Sequence, residues 1–281
     1  MSAAVRIFTT ASSATAPEEC RGHVLVSGSY GGEYNAYHAG RRIIRGVVLN
    51  DAGVGKDRAG IRGLDYLERA GLAAATADVM SCHIGDGAHM LQHGIISFVN
   101  RCAARVGCAP GQSVRDCAER LKAAPLVEAP MLPVSGGQRH VIRDDAGATL
   151  VVCLDAAPML TAEDTGRIVV TGSHAALLGG KPDGLIAPDV RAVFFSDGGV
   201  GLDATGVARL PLLDARGIPA GAASANSAAI GDAVSIYTEG LLSHVNASAA
   251  ALGGRPGMLI REFIERLLAE PAAAAAAAAA R

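Results

Sequence analysis

The chain is expected to be an α/β protein of two tandem repeated units with mainly parallel sheets, related by pseudo-twofold symmetry. Three observations predict this. Residues 46–111, opening GVVLNDAGVGKDRAGI, align at a constant offset of 146 with residues 192–257, opening AVFFSDGGVGLDATGV, and 25 of the 66 pairs are identical. A second block, VLVSGS at 24–29, aligns with IVVTGS at 168–173 at an offset of 144. A repeat this long is a duplicated domain, because solenoid units run about 20–50 residues. Finally, short apolar runs bounded by glycine alternate with helical patterns of about 14–20 residues, as in parallel strands joined by crossover helices.

The organisation follows. A first α/β repeat covers 1–125, a linker and hairpin start 126–147, a second α/β repeat 148–270, and a low-complexity alanine tail 271–281. In each repeat a first strand (5–10; 150–154) leads to a second (23–27; 167–171) that ends in Gly-Ser. A third strand (46–50; 192–196) ends at Asp51 or Asp197. A helix over about 57–70 or 203–216 follows, then a fourth strand (72–77; 218–223) and a long helix over about 86–106 or 232–252. Continuous apolar runs such as GVVL and AVFF suit strands buried on both faces. Two prolines and Gly136-Gly137 mark the linker, after which RHVIR-DDAG-ATLVVCL reads as a hairpin.

Composition narrows the function classes. Half the residues are hydrophobic and there is no Trp, so the core is built from Ala, Val, Leu and Ile. A net charge of −2, with no basic cluster interleaved with aromatics, argues against nucleic acid as a partner. No apolar run suits a signal peptide or, the alanine tail aside, a membrane span. None of the six cysteines (20, 82, 102, 108, 117, 153) has a Cys counterpart in the other half, and there is no C-x-x-C pair. Reduced thiols in a cytoplasmic protein are the simplest account. The expected partner is a small-molecule substrate, with a homo-oligomer compatible with the sequence.

The strongest chemical candidate is Asn50-Asp51-Ala52-Gly53-Val54-Gly55-Lys56-Asp57 and its echo at 196–203. It lies where a strand ends and a helix begins, the edge at which open α/β sheets bind ligands. Gly53 and Gly55 permit a tight turn and close approach to a ligand, and a helix N-terminus attracts anions. Asp51 and Asp197 are therefore expected to be catalytic, with Asn50, Gly53, Gly55 and Lys56 binding the ligand. Asp57 and Asp203 read instead as helix N-caps. The segment is neither a dinucleotide fingerprint nor a Walker A loop, so no nucleotide cofactor is implied. A divalent metal is compatible with the carboxylates and imidazole.

A second candidate pairs Gly28-Ser29-Tyr30-Gly31-Gly32 with Gly172-Ser173-His174. Small residues at a strand tip can cradle an anion, which makes Ser29, Gly31 and Ser173 ligand-binding candidates. The plain alternative is a tight strand-to-helix turn. His174 is the catalytic candidate here, weighed against a hydrogen-bonded structural histidine. A third is Ser81-Cys82-His83-Ile84-Gly85-Asp86. A thiol near a helix N-terminus is activated, so Cys82 is a nucleophile candidate against the alternative of a buried inert thiol. Asp86 and Asp232 read as N-caps. His89 and His93 share a helix face at metal-compatible spacing, but a solvated face is the default. Asn100 and Asn246 read as structural caps or bridges.

The two-half plan is similar to that of several small-molecule enzymes with sites between pseudo-symmetric halves, an analogy that establishes no reaction. The sequence favours an enzyme acting on a small polar or anionic molecule, a hydrolase with its site at the strand C-terminal ends between the repeats. Carboxylate and imidazole together suit general-base activation of water. The alternatives are a non-catalytic anion-binding or sensory protein and a structural subunit of a larger assembly.

Overall fold

The computed structural model describes residues 4–145, 148–182 and 186–279. It is α/β, with two mostly parallel sheets of five and six strands. In the first, β1 (Ile7–Thr10), β2 (Val24–Tyr30), β3 (Gly46–Asn50), β4 (Ala73–Ala77) and β5 (Ile96–Val99) lie side by side in chain order. The first four are parallel, and β5 runs antiparallel to β4.

Helices α1 (Glu33–Gly40) and α2 (Arg62–Arg69) connect β2 to β3 and β3 to β4. Each new strand is added on the same side, so right-handed crossovers put both helices on one face. Their Ala36, Ala39, Leu64 and Leu67 pack with Leu25, Val47 and Leu49. The opposite face is covered by α3 (Gly87–His93), α4 (Arg101–Arg105) and α5 (Val114–Leu121), which bring Met90, Ala103, Cys117 and Leu121 against Val24, Val26 and Val48. Cover on both sides explains why these strands read as unbroken apolar runs.

The second sheet contains β6 (Arg139–Asp145), β7 (Ala148–Leu154), β8 (Ile168–His174), β9 (Ala192–Ser196), β10 (Ala220–Ala223) and β11 (Leu242–Val245), again neighbours in chain order. Its helices are α6 (Leu210–Asp214), α7 (Ala233–Glu239), α8 (Ala247–Ala251) and α9 (Ile260–Ala279). The strand registers follow the sequence offsets. Ile7 pairs with Val24 as Val151 pairs with Ile168; Val24 pairs with Gly46 as Ile168 pairs with Ala192; Ala75 pairs with Val99 as Gly221 pairs with Val245. The expected hairpin is the antiparallel β6–β7 pair, and its turn at 146–147 lies outside the described residues.

Three expectations are corrected. The long helix over 86–106, and its echo over 232–252, is instead a short helix, an antiparallel strand and a second short helix. Gly94 and Gly240 end α3 and α7 in extended conformation. The following segment pairs as an edge strand, and Asn100 and Asn246 then start new helices. The helix expected over 57–70 begins only at Arg62, and that over 203–216 only at Leu210. Asp57 and Asp203 do not cap them. Both sit at positive φ (51° and 55°) inside a 3-10 turn, a conformation that Asp tolerates better than most residues.

The other capping assignments hold. Asp86 Oδ1 accepts from Ala88 N–H and His89 N–H, both at 3.0 Å, and Asp232 accepts from Ser235 N–H at 2.8 Å. Asn100 does more. Its Oδ1 accepts from Ala103 N–H (2.9 Å) and Ala74 N–H (3.1 Å), while its Nδ2 donates to Leu72 O (2.8 Å), tying α4 to β4. Asn100→Ala is expected to cost about 2–3 kcal/mol in urea unfolding because buried partners lose their bonds. The more exposed cap change Asp86→Ala should cost about 1 kcal/mol.

Candidate functional site

The glycine-rich turns after β3 and β9 join the two units to each other. A Cβ at Gly53 would stand 3.1 Å from Gly199 Cα, and one at Gly55 would stand 2.9 Å from Ala225 O. The contacts are reciprocal: Lys56 N–H donates to Ala225 O (2.8 Å) and Leu202 N–H to Val79 O (3.0 Å). Glycine is needed here for close approach of backbone to backbone. Lys56 Nζ is 2.8 Å from Glu239 Oε1 of the other unit, an ion pair across the junction.

Asp51 and Asp197 brace these same turns. Asp51 Oδ1 accepts from Gly53 N–H (2.9 Å) and Val79 N–H (3.0 Å). Asp197 Oδ1 accepts from Gly199 N–H and Ala225 N–H, both at 2.9 Å, and its Oδ2 accepts from Ser243 Oγ at 2.8 Å. Each carboxylate closes its own turn and clamps it to the segment after the next strand. Burial pushes the Asp51 carboxyl above the usual range. Asn50 Oδ1 accepts from Ala52 N–H at 2.9 Å, and Gly31 N–H donates to Asn50 O at 2.7 Å. Asp51→Ala would strand the buried Val79 N–H and the part-buried Gly53 N–H, and a loss of about 2–3 kcal/mol in denaturant unfolding is expected.

Cys82 is fully buried between Asn50 Nδ2 (3.6 Å) and Asp78 O (3.4 Å). Burial pushes its thiol up to about 12, the opposite of an activated nucleophile. His83 and His89 stack at 3.6 Å, with His93 4.4 Å beyond, and His83 Nε2 is 2.9 Å from Asp203 Oδ2 of the second unit. Among the described residues, no group of three or more His, Cys, Asp or Glu is arranged to hold a metal ion.

The strand tips of β2 and β8 open into a cavity of about 440 Å³ between the units. Ser29, Tyr30 and Tyr34 line it from the first unit; Asp155, Ser173, His174 and Arg209 line it from the second. None of residues 50–57 lines it. Ser29 Oγ accepts from Ser13 N–H (3.0 Å) and Ser173 Oγ from Ala157 N–H (2.9 Å), which leaves each hydroxyl proton able to donate into the cavity. A separate pocket of the same volume also touches Tyr30, Tyr34 and Asp155 and is lined further by Glu33, Arg62, His140 and Asp232.

Tyr30 and His174 occupy matching places, 144 residues apart, and reach across the junction in opposite senses. A Cβ on Gly231 would stand 2.3 Å from Tyr30 Oη, and one on Gly85 would stand 3.6 Å from His174 Cε1. His174 is 7% exposed. Ala176 N–H donates to its Nδ1 at 3.2 Å, so the neutral ring carries its proton on Nε2. Burial, reinforced by the nearby Arg209 charge, pushes the imidazole down to about 3.

Arg209 is the unexpected group. It is only 3% exposed. Its Nη2 donates to Ala176 O (2.9 Å) and its guanidinium lies over the Phe195 ring at 5.4 Å. Its Nε has no acceptor, and among the described residues no carboxylate pairs with it. Burial pushes its pKa down to about 10. Asp155, the one carboxylate lining the cavity among the described residues, accepts from Gln138 N–H (3.0 Å) and Ala233 N–H (3.2 Å).

Of the site residues expected from sequence, the cavity thus gathers His174, Ser29 and Ser173. Asp51, Asp197, Asn50, Gly53, Gly55 and Lys56 lie at the junction or in its turns, while Gly31 and Cys82 are packed inside the first unit. Sequence reading missed Tyr30, Asp155 and Arg209. The signal was present: Asp155 follows the apolar strand VVCL, and Arg209 interrupts the apolar stretch GVARLPLL where the first unit has Gly63.

Comparison with protein-family models, curated proteins and solved structures gives no match to this chain. Among the described residues, no helix is long and apolar enough to cross a membrane.

Proposed function

We propose that the protein is an enzyme acting on a small anionic molecule bound in the cleft between two duplicated, pseudo-twofold-related units. The observation that carries this is Arg209, a buried guanidinium facing the cavity with no carboxylate partner among the described residues. A buried cation without a partner costs stability, and an anionic ligand would supply the missing charge. The duplication is supported by the matched strand registers and the reciprocal contacts across the junction. In this reading the repeated carboxylates Asp51 and Asp197 serve folding, and the chemistry falls to residues the first unit lacks. Tyr30 stands where the second unit has His174, and Ala11 where it has Asp155.

Hydrolysis fits these groups best. The Asp155 carboxylate would orient and polarise a water, Arg209 would hold the substrate's anionic group, and His174 Nε2–H would donate to the oxygen on which charge develops. A neutral histidine that donates in this way needs a depressed pKa, as burial gives His174. A cytoplasmic location is proposed from the cysteines, all of which are free thiols.

One observation favours a second reading, a non-catalytic anion-binding protein. His174 Nδ1 accepts from Ala176 N–H and Nε2 carries the ring proton, so the ring offers the cleft no basic lone pair. A turnover screen over small anionic esters and amides, with and without divalent metals, separates the two. The enzyme reading expects turnover that falls at least about 100-fold in both Asp155→Asn and His174→Gln, with ligand affinity changed far less in Asp155→Asn. Arg209-dependent binding without turnover by any of these compounds would establish the binding protein instead.

A further inference from the structure

We infer that the molecule taken by this cleft is a short monocarboxylate with an apolar body, its acid group on Arg209 and His174 and its hydrocarbon part along the cavity wall. The inference rests on the anion-binding reading above and specifies the class of ligand.

Charge comes first. Among the described lining residues of this cavity, Arg209 is the only cation and Asp155 the only carboxylate. One guanidinium balances one negative charge. A phosphate dianion would leave a second charge uncompensated in a low-dielectric site that already holds Asp155. Donor geometry points the same way. Arg209 Nη2 is tied to Ala176 O, which fixes the guanidinium plane, and Nη1 makes no hydrogen bond among the described residues. His174 Nε2–H adds a second donor on the same wall. A planar fork with a neighbouring donor suits the two oxygens of a carboxylate.

Most of the remaining wall is apolar. Pro158, Met159, Leu160, Leu178, Ile186 and Pro188 form it, beside the hydroxyls of Ser29 and Ser173. At about 440 Å³ it is far roomier than a bare carboxylate needs and falls in the range of pockets that hold whole small molecules. Hydrocarbon attached to the acid would be removed from water against these side chains. Each added CH₂ should then tighten binding about fourfold until the cavity is filled.

The test is calorimetric titration of the full chain at pH 7 with acetate, butyrate, hexanoate and inorganic phosphate, with hexanol as the uncharged control. The expected result is affinity that climbs about fourfold per CH₂ from acetate to hexanoate, with phosphate at least tenfold weaker than butyrate. Hexanoate should weaken about tenfold in Arg209→Lys, which keeps the charge but not the fork, and more than 100-fold in Arg209→Met. Hexanol should bind wild type and Arg209→Met alike, which also reports that the variant's cavity is intact. Phosphate binding that depends on Arg209 and exceeds that of the carboxylates would overturn the monocarboxylate class while leaving the anion site standing. Affinity that is flat with chain length would overturn the apolar body alone. If no probe binds in an Arg209-dependent way, both the inference and the anion-binding reading fail.

Discussion

Arg209→Met is expected to raise the melting temperature of the ligand-free protein while abolishing anion binding. Arg209 is buried against Phe195, its Nε lacks an acceptor, and burial alone holds its pKa down at about 10. The fold therefore bears the desolvation of a cation that no described carboxylate offsets. Methionine has similar reach and no charge. Replacing buried ionic groups by apolar side chains of like volume often stabilises by about 1–4 kcal/mol. The hydrogen bond to Ala176 O is lost, at about 1 kcal/mol. The net gain expected is about 1–3 kcal/mol, or a few degrees in Tm for a chain of this size. Stability given up for a binding group is a common pattern at functional sites. A variant clearly less stable than wild type would mean that Arg209 holds the fold together, and its assignment to a ligand would fall.

The second large effect is a pH dependence carried by His174. Its folded pKa, about 3, lies below the ordinary value of 6.5, so between those limits the unfolded chain binds the proton that the folded protein excludes. Stability from this group is complete above about pH 6.5 and falls as the pH drops, by about 1.4 kcal/mol per unit across the window. Carboxylates elsewhere also respond to acid, but they are common to wild type and His174→Gln. The difference between the two in urea unfolding at pH 7, 6, 5 and 4 therefore isolates the imidazole. Wild type should lose its advantage steadily toward pH 4. Parallel curves would show that His174 is not buried as described. A bound carboxylate should flatten the wild-type slope, because a negative charge beside the ring favours its protonation.

Much of the fold is legible in the sequence because its signals are local or repeated. The apolar runs at 24–26, 46–49 and 192–195 lie in strands, and the constant offsets recur in the strand registers. The segments after β4 and β10 are not legible in this way. LQHGIISFVN carries apolar residues at spacings that satisfy a helix, and only pairing against β4 turns 96–99 into an edge strand. Gly94 and Asn100, a stop and a cap, are the available local signs. The site is legible in part, for a physical reason. A glycine-rich turn that approaches another backbone looks the same in sequence as one that approaches a phosphate, so Gly53 and Gly55 read as ligand contacts although they pack on Gly199 and Ala225. The turn carboxylates Asp51 and Asp197 recur in both units because both backbones need them. Asymmetry is the better guide to the cavity: it singles out His174, and it marks Arg209 as well, which faces Gly63 in the alignment.

Native mass spectrometry after exposure to an equimolar mixture of small carboxylic acids, phosphate esters and amines tests most directly whether the cleft between the units is the ligand site. Wild type and the Asp51→Asn variant should each retain a carboxylic acid, since the substituted amide keeps the Oδ1 acceptor that braces its turn, and Arg209→Met should retain none. Retention of the same compound by wild type and Arg209→Met, or its loss in a folded Asp51→Asn variant, would contradict the assignment and move the site to the turns at the junction.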